Sequence, residues 1–201
     1  MKPRVTIYSD YICPFCYIGK AGIDRLQKDF DIDVGWKGFE IHPETPKQGA
    51  TLEDIGMDQG YLETLMRNVE KLAKDVNLEI RLPSRLSNSK MALKIAEFAK
   101  NKGKFKEYHD EVFKAYWLEE KDIGDSGVLF NIVERVGLDV GDLKEYLKSG
   151  LAAKKISEYL QEIRGYGISG VPTFFIGYDI FTGVQPYEVL KKAVEDALAG
   201  D

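Results

Sequence analysis

The stretch S-D-Y-I-C-P-F-C-Y-I-G-K, residues 9–20, decides how this chain is read, because it holds both of the chain's cysteines, Cys13 and Cys16. Just before it, R-V-T-I-Y-S alternates in polarity and is rich in β-branched side chains, which predicts a short buried strand over 4–9. Just after Cys13, Pro14 suits the first position of a helix, where a missing N–H leaves no bond unmade. Ile18, Gly22, Leu26 and Phe30 then recur every fourth residue, the period of one helix face. I-D-V-G-W-K-G-F-E-I-H-P returns to an extended pattern and ends at Pro43. Residues 4–43 therefore spell strand, helix, strand, with the two thiols at the first turn.

A cysteine pair spaced in this way at a helix start has a specific chemistry. Cys13 falls where unpaired N–H groups and the positive end of the helix dipole favour an anion, so it is the candidate thiolate nucleophile. Cys16 follows one turn later, near enough to close a disulfide or to resolve a mixed one. Phe15, between them, is a candidate for a partly exposed contact surface. Two other readings compete. A zinc site needs four ligands, and the chain offers no second cysteine pair, with His42 and His109 as its only histidines, so a metal is not expected. Two incidental core cysteines are the other reading. A second signal favours redox chemistry: G-V-P-T-F at 170–174, where Val171 and Pro172 open a strand. A cis bond there would leave the Val171 backbone free to pair with a substrate chain.

The rest of the chain supplies the frame. Of the 201 residues, 44% are hydrophobic and 30% charged, as in ordinary soluble domains. A formal net charge of −5 with no concentrated basic stretch argues against a nucleic-acid partner. No window approaches the roughly 18 apolar residues of a membrane span, and the N-terminal stretch lacks a secretory pattern, so a cytoplasmic location is expected. In that compartment thiols stay reduced and a paired cysteine motif is catalytic or metal-binding more often than structural.

Between about 51 and 149 the periodicity is helical. Thr51 and Asp54 fit a capping box, and Tyr61, Leu65, Val69, Leu72 and Val76 form one stripe. Further amphipathic segments follow, each closed by Gly103, Gly137 or Gly150, and L-E-I-R-L-P is a candidate extended piece. Residues 151–167 read as another helix, I-S-G-V-P-T-F-F-I-G-Y-D-I-F-T-G-V as a hairpin, and the chain closes on a helix that begins near Pro186. The expected architecture is α/β, a thioredoxin-like βαβ plus ββα domain from residues 1–45 and 150–201, interrupted by an all-helical subdomain over 46–149. Asp10 and Glu40 are candidates for a buried carboxylate that relays protons to Cys16. Lys20 is expected in solvent.

The residues S-D-Y-I-C-P-F-C-Y-I-G-K, F-E-I-H-P-E-T-P, G-V-P-T-F-F-I and G-V-Q-P-Y-E-V-L-K-K-A-V-E-D-A-L together resemble the DsbA-like thioredoxin-fold family, and within it the FrnE-type branch of dithiol–disulfide isomerases. The resemblance covers essentially the whole chain. It implies thiol–disulfide exchange on a protein or small-molecule substrate, with Cys13 as nucleophile, Cys16 as resolving thiol and Pro172 as a substrate-facing cis-proline. No cofactor is implied beyond the redox-active pair, with glutathione as a candidate co-substrate, and the oligomeric state is left open. The chain departs from DsbA types that carry histidine between the cysteines. Pro14 and Phe15 stand there instead, which implies a potential between the ~ −270 mV of thioredoxin and the ~ −120 mV of DsbA. Relatives of the same architecture include glutathione-dependent 2-hydroxychromene-2-carboxylate isomerases and kappa-class transferases, which keep serine near the first cysteine position. A chaperone-like binding module is the third alternative.

Overall fold

The structure, a computed structural model, describes residues 2–51 and 53–200. Strand β1 (Arg4–Ser9) leads into helix α1 (Pro14–Asp29) and strand β2 (Asp33–Gly38). Six helices follow: α2 (Gln59–Asp75), α3 (Lys90–Asn101), α4 (Phe105–Trp117), α5 (Ser126–Arg135), α6 (Val140–Lys148) and α7 (Leu151–Gly165). Strands β3 (Thr173–Ile176) and β4 (Asp179–Thr182) and helix α8 (Tyr187–Ala199) complete the chain. The sheet order is β2-β1-β3-β4, with β1 and β2 parallel and the other pairs antiparallel. This is the expected βαβ plus ββα arrangement with helices between its halves, a mixed α/β thioredoxin-like fold.

Alternation along the strands sorts residues between the two faces of the sheet. Val5 and Ile7 lie opposite Ile176 and Phe174 and pack with Ile23, Leu26, Leu190 and Val194 of α1 and α8. Tyr8 and Phe175 face the other way, into the helical layer, with ring centroids 5.6 Å apart. Two glycines make this geometry feasible. At Gly19 a Cβ would stand 3.0 Å from the Phe174 ring, so α1 can lie directly on β3. At Gly177, φ is 58°, a left-handed conformation at the hairpin turn that favours glycine.

The helical segment differs from expectation in detail. Thr51 and Asp54 do exchange both capping-box bonds, Thr51 N–H to Asp54 Oδ2 at 2.9 Å and Asp54 N–H to Thr51 Oγ1 at 3.1 Å. They close an isolated turn, however, because Gly56, at φ 79°, and Asp58 follow. Helix α2 starts only at Gln59, capped by Asp58, whose Oδ1 accepts from Tyr61 N–H at 2.9 Å. Its stripe is buried only in the middle: Val69 is fully buried, whereas Tyr61 is 55% exposed. L-E-I-R-L-P forms no strand, and Arg81 N–H instead donates to the Trp117 carbonyl at 2.7 Å. Helix α7 packs on α3 and α6 as well as on β2.

Candidate active site

Local sequence builds the turn between β1 and α1. Cys13 is the N-cap of α1, extended at φ −88° and ψ 118°, and Pro14 occupies the first helical position. The Cys13 carbonyl accepts from Cys16 N–H at 3.1 Å and from Tyr17 N–H at 3.3 Å, which starts the helix and holds Cys16 one turn above Cys13. Both cysteines are free thiols and both are buried, Cys13 at 4% exposure and Cys16 at 0%.

The G-V-P-T-F segment reaches this turn from the far end of the chain. The Val171–Pro172 peptide is cis. The Cys13 thiol donates to the Val171 carbonyl at 3.6 Å, across 158 residues of sequence. Two bonds hold the loop in place: Thr173 Oγ1 donates to the Gly170 carbonyl at 2.8 Å, and Gly183 N–H donates to the Pro172 carbonyl at 2.8 Å. The Pro172 ring also sits above Gly19 of α1, 3.4 Å from where a Cβ would lie.

Burial dominates the electrostatics of the site. It pushes the Cys16 thiol well above its usual pKa, and the adjacent Cys13 adds to the rise, while the Ser9 hydroxyl and the Asp10 backbone N–H offset part of it. Asp10, fully buried, is raised by the same cause to about 6, although its carboxylate accepts from Ile41 N–H at 2.9 Å and Ile12 N–H at 3.5 Å. Glu40 is only half-buried. Its Oε1 is enclosed without a hydrogen-bond partner among the described residues, and its charge contributes to raising Asp10. Of the two expected carboxylates, Asp10 is therefore the one sealed inside, and its backbone N–H meets the Cys16 sulfur. Lys20 is not in solvent: its side chain is 11% exposed and bridges Asp24 at 2.5 Å and Asp110 of α4 at 2.7 Å. The burial of the aliphatic stem and these two carboxylates hold it at the α1–α4 seam.

Of the α4 aromatics Tyr108, Phe113, Tyr116 and Trp117, all buried, the last two line the site. The Trp117 indole donates to the Tyr11 carbonyl at 2.8 Å, and Tyr17 stacks on both Phe113 and Trp117. Cys13, Phe15 and Val171 open onto a cavity of about 310 Å³, whose far wall includes Leu62, Leu65 and Met66 of α2. No local pattern linked α2 to the cysteines. His42, also on the cavity wall, pairs through Nδ1 with Glu44 at 2.8 Å, as a turn histidine. His109 is buried on α4 beside the Tyr11 hydroxyl at 3.1 Å, and burial pushes its pKa well down, leaving it neutral near pH 7. Among the described residues no group of three or more histidine, cysteine or acidic side chains could hold a metal ion, and no helix is long and apolar enough to cross a membrane.

The chain matches the DsbA-like thioredoxin domain over residues 4–195. It is 31% identical to the uncharacterized protein YwbO of Bacillus subtilis across 98% of each sequence. A 2-hydroxychromene-2-carboxylate isomerase of Pseudomonas putida is 20% identical over 94% of this chain and 93% of its own. Among solved structures, a "probable DsbA oxidoreductase" of Streptomyces coelicolor superimposes with a TM-score of 0.86 at 25% identity, covering 99% of this chain and 91% of the other. The fold, the paired thiols at the start of α1 and this match over nearly the whole length agree: the chain belongs to the DsbA-like thioredoxin-domain family.

Proposed function

We propose that this protein is a FrnE-type thiol–disulfide oxidoreductase working in the cytoplasm through Cys13 and Cys16, with Pro14, Phe15, Val171 and Pro172 as the surface that meets the substrate. The observation that carries the reading is the Cys13 thiol at the N-cap of α1, 3.6 Å from the Val171 carbonyl, with Cys16 one turn behind it.

In the reducing direction, the Cys13 thiolate attacks one sulfur of a substrate disulfide. A Cys13–substrate disulfide forms, and the other substrate sulfur leaves as a thiolate that takes up a proton. Cys16 then attacks the Cys13 sulfur and releases the second substrate thiol. Two electrons pass from the protein to the substrate, and a Cys13–Cys16 disulfide remains for an external thiol to reduce; the same steps reversed oxidise a dithiol. Because burial holds Cys16 protonated, its step needs a base, and Asp10 is our candidate: a carboxyl with a pKa of about 6 can accept a proton near neutral pH.

The test is to mix Cys16→Ser and Cys13→Ser proteins with a disulfide and follow the products by mass spectrometry. The first variant should accumulate the mixed disulfide, and the second should lose exchange to background. Full activity in Cys13→Ser would refute the proposal. The kinship with the P. putida isomerase supports one alternative, glutathione-dependent isomerisation. That reading requires activity with glutathione to survive loss of both cysteines.

A further inference from the structure

We propose that the disulfide or thiol handled at Cys13 is a small, apolar molecule held inside the cavity between α1, α2 and α4, and not a disulfide on a folded protein surface. The inference rests on the exchange chemistry proposed above and adds the class of substrate.

Three observations carry it. The first is access. Cys13 is 4% exposed although it sits at a helix tip, because α2 and the segment around Leu82–Leu86 stand over it. The cavity rim is marked by Tyr61 and Leu82, 55% and 42% exposed, so its mouth faces solvent while the sulfur lies at the back. A disulfide embedded in a folded chain would have to carry its backbone past this rim to reach the sulfur.

The second is size. About 310 Å³ places the cavity at the small end of organic-ligand sites. A dialkyl or aryl disulfide fits that space. Glutathione disulfide, with two tripeptides, would have to extend through the mouth into solvent.

The third is chemistry. The walls include Ile12, Ile41, Leu62, Leu65, Met66 and the Trp117 ring, and no carboxylate lines them. Several polar lining groups are engaged with the protein. Trp117 donates to Tyr11, the Tyr116 hydroxyl to the Arg85 carbonyl at 3.5 Å, and His42 pairs with Glu44. Arg85 Nη2 is turned to the carbonyls of Gln48 and Gly49, at 3.5 and 3.3 Å. An apolar ligand gains burial there, whereas a cationic one would meet no carboxylate among the described residues. Met66 and Met57 supply unbranched, adaptable side chains that suit a varied set of apolar groups.

The exchange balances with no other reactant. Cys13 bonds to one sulfur of R–S–S–R and releases R–SH, Cys16 closes on Cys13 and releases the second R–SH, and the protein dithiol loses the two electrons that the disulfide gains.

The test uses the full-length reduced protein and follows oxidation of the pair by stopped flow and thiol titration. The oxidants are dibutyl disulfide, bis(2-hydroxyethyl) disulfide, glutathione disulfide and native insulin. Each rate is divided by that of the same disulfide with dithiothreitol, which removes intrinsic reactivity. Dibutyl disulfide should exceed glutathione disulfide and insulin by about tenfold or more, with the hydroxyethyl compound between, since each methylene or hydroxyl in such a pocket is worth about that much. Leu62→Trp, which fills the cavity from α2, should lower the dibutyl disulfide rate by about tenfold. Equal normalised rates, or insulin ahead of dibutyl disulfide, would overturn the inference while leaving the exchange chemistry standing. If no disulfide oxidises the pair, the proposed function falls and takes the inference with it. The ranking on the unaltered protein decides the matter even if Leu62→Trp does not fold.

Discussion

The two faces of the sheet bury their apolar side chains in different company. On one face, Val5, Ile7, Phe174 and Ile176 close with α1 and α8 into a small core that involves no other helix. On the other, Tyr8, Tyr11, Ile12, Cys13, Cys16 and Tyr17 belong to one continuous core with Phe98, Phe113, Ile132 and Ile163 of the helical layer. Both cysteines are carried by the sheet half of the sequence yet packed by the helical half. The helices between β2 and β3 are thus one wall of the candidate site. That division of labour explains why the cysteine nearer the helix tip is buried at all.

The most direct way to break this comparison is to damage each core separately. Phe113→Ala and Phe174→Ala both empty fully buried positions and should each cost about 3–5 kcal/mol. If the cysteine-bearing face joins the halves into one unit, either variant should lower a single unfolding transition. Trp117 fluorescence, isolated in a Trp36→Phe background, should then coincide with far-ultraviolet circular dichroism. Two separated transitions would mean that the helical layer folds on its own.

A smaller effect sharpens the comparison at Asp10, where the two halves meet. A carboxyl raised from 3.8 to about 6 keeps a proton in the folded state that the unfolded chain gives up between those values. Its contribution to stability is therefore full below pH 3.8 and is lost as the pH rises through about 6. Urea denaturation of reduced Asp10→Asn against the unaltered protein should show a difference that shifts in the variant's favour by about 2 kcal/mol between pH 4 and pH 7. His109 works in the opposite sense: its folded pKa lies below its unfolded value, so it costs stability as the pH falls below 6.5. It is present in both proteins and cancels in the comparison. A pH-independent difference would remove Asp10 as a buried titrating group. In the exchange reaction, the same variant should slow release of the second thiol and erase a rise in that rate centred near pH 6.

The smallest effect concerns the seam itself. Lys20 of α1 pairs with Asp110 of α4 at 2.7 Å, both only partly shielded. A double-mutant cycle on Lys20→Met and Asp110→Asn should give a coupling of about 1 kcal/mol. A coupling of zero would leave apolar packing as the sole link between α1 and α4.

Much of this was legible along the chain. The strand before Cys13, the proline after it and the four-residue stripe beyond are short-range patterns, and each produced the expected element. Lys20 misled because its neighbours in sequence do not reveal Asp110, ninety residues away. Thr51 and Asp54 misled for the reverse reason: their mutual bonds are local and do form, but nothing obliges a helix to continue from them past Gly56 with its left-handed φ.

By itself the sequence determined the dithiol, its place at the N-cap of α1 and the order of strands and helices, because capping, proline geometry and hydrophobic period act over a few residues. Only the tertiary structure decided that Val171 meets Cys13, that Asp10 and not Glu40 is sealed beside the pair, and that α2 covers the sulfur with an apolar cavity. Those outcomes depend on which distant surfaces exclude water together. Burial, the cause of the raised pKa values of Cys16 and Asp10 alike, is a property of the packed chain and of no single segment.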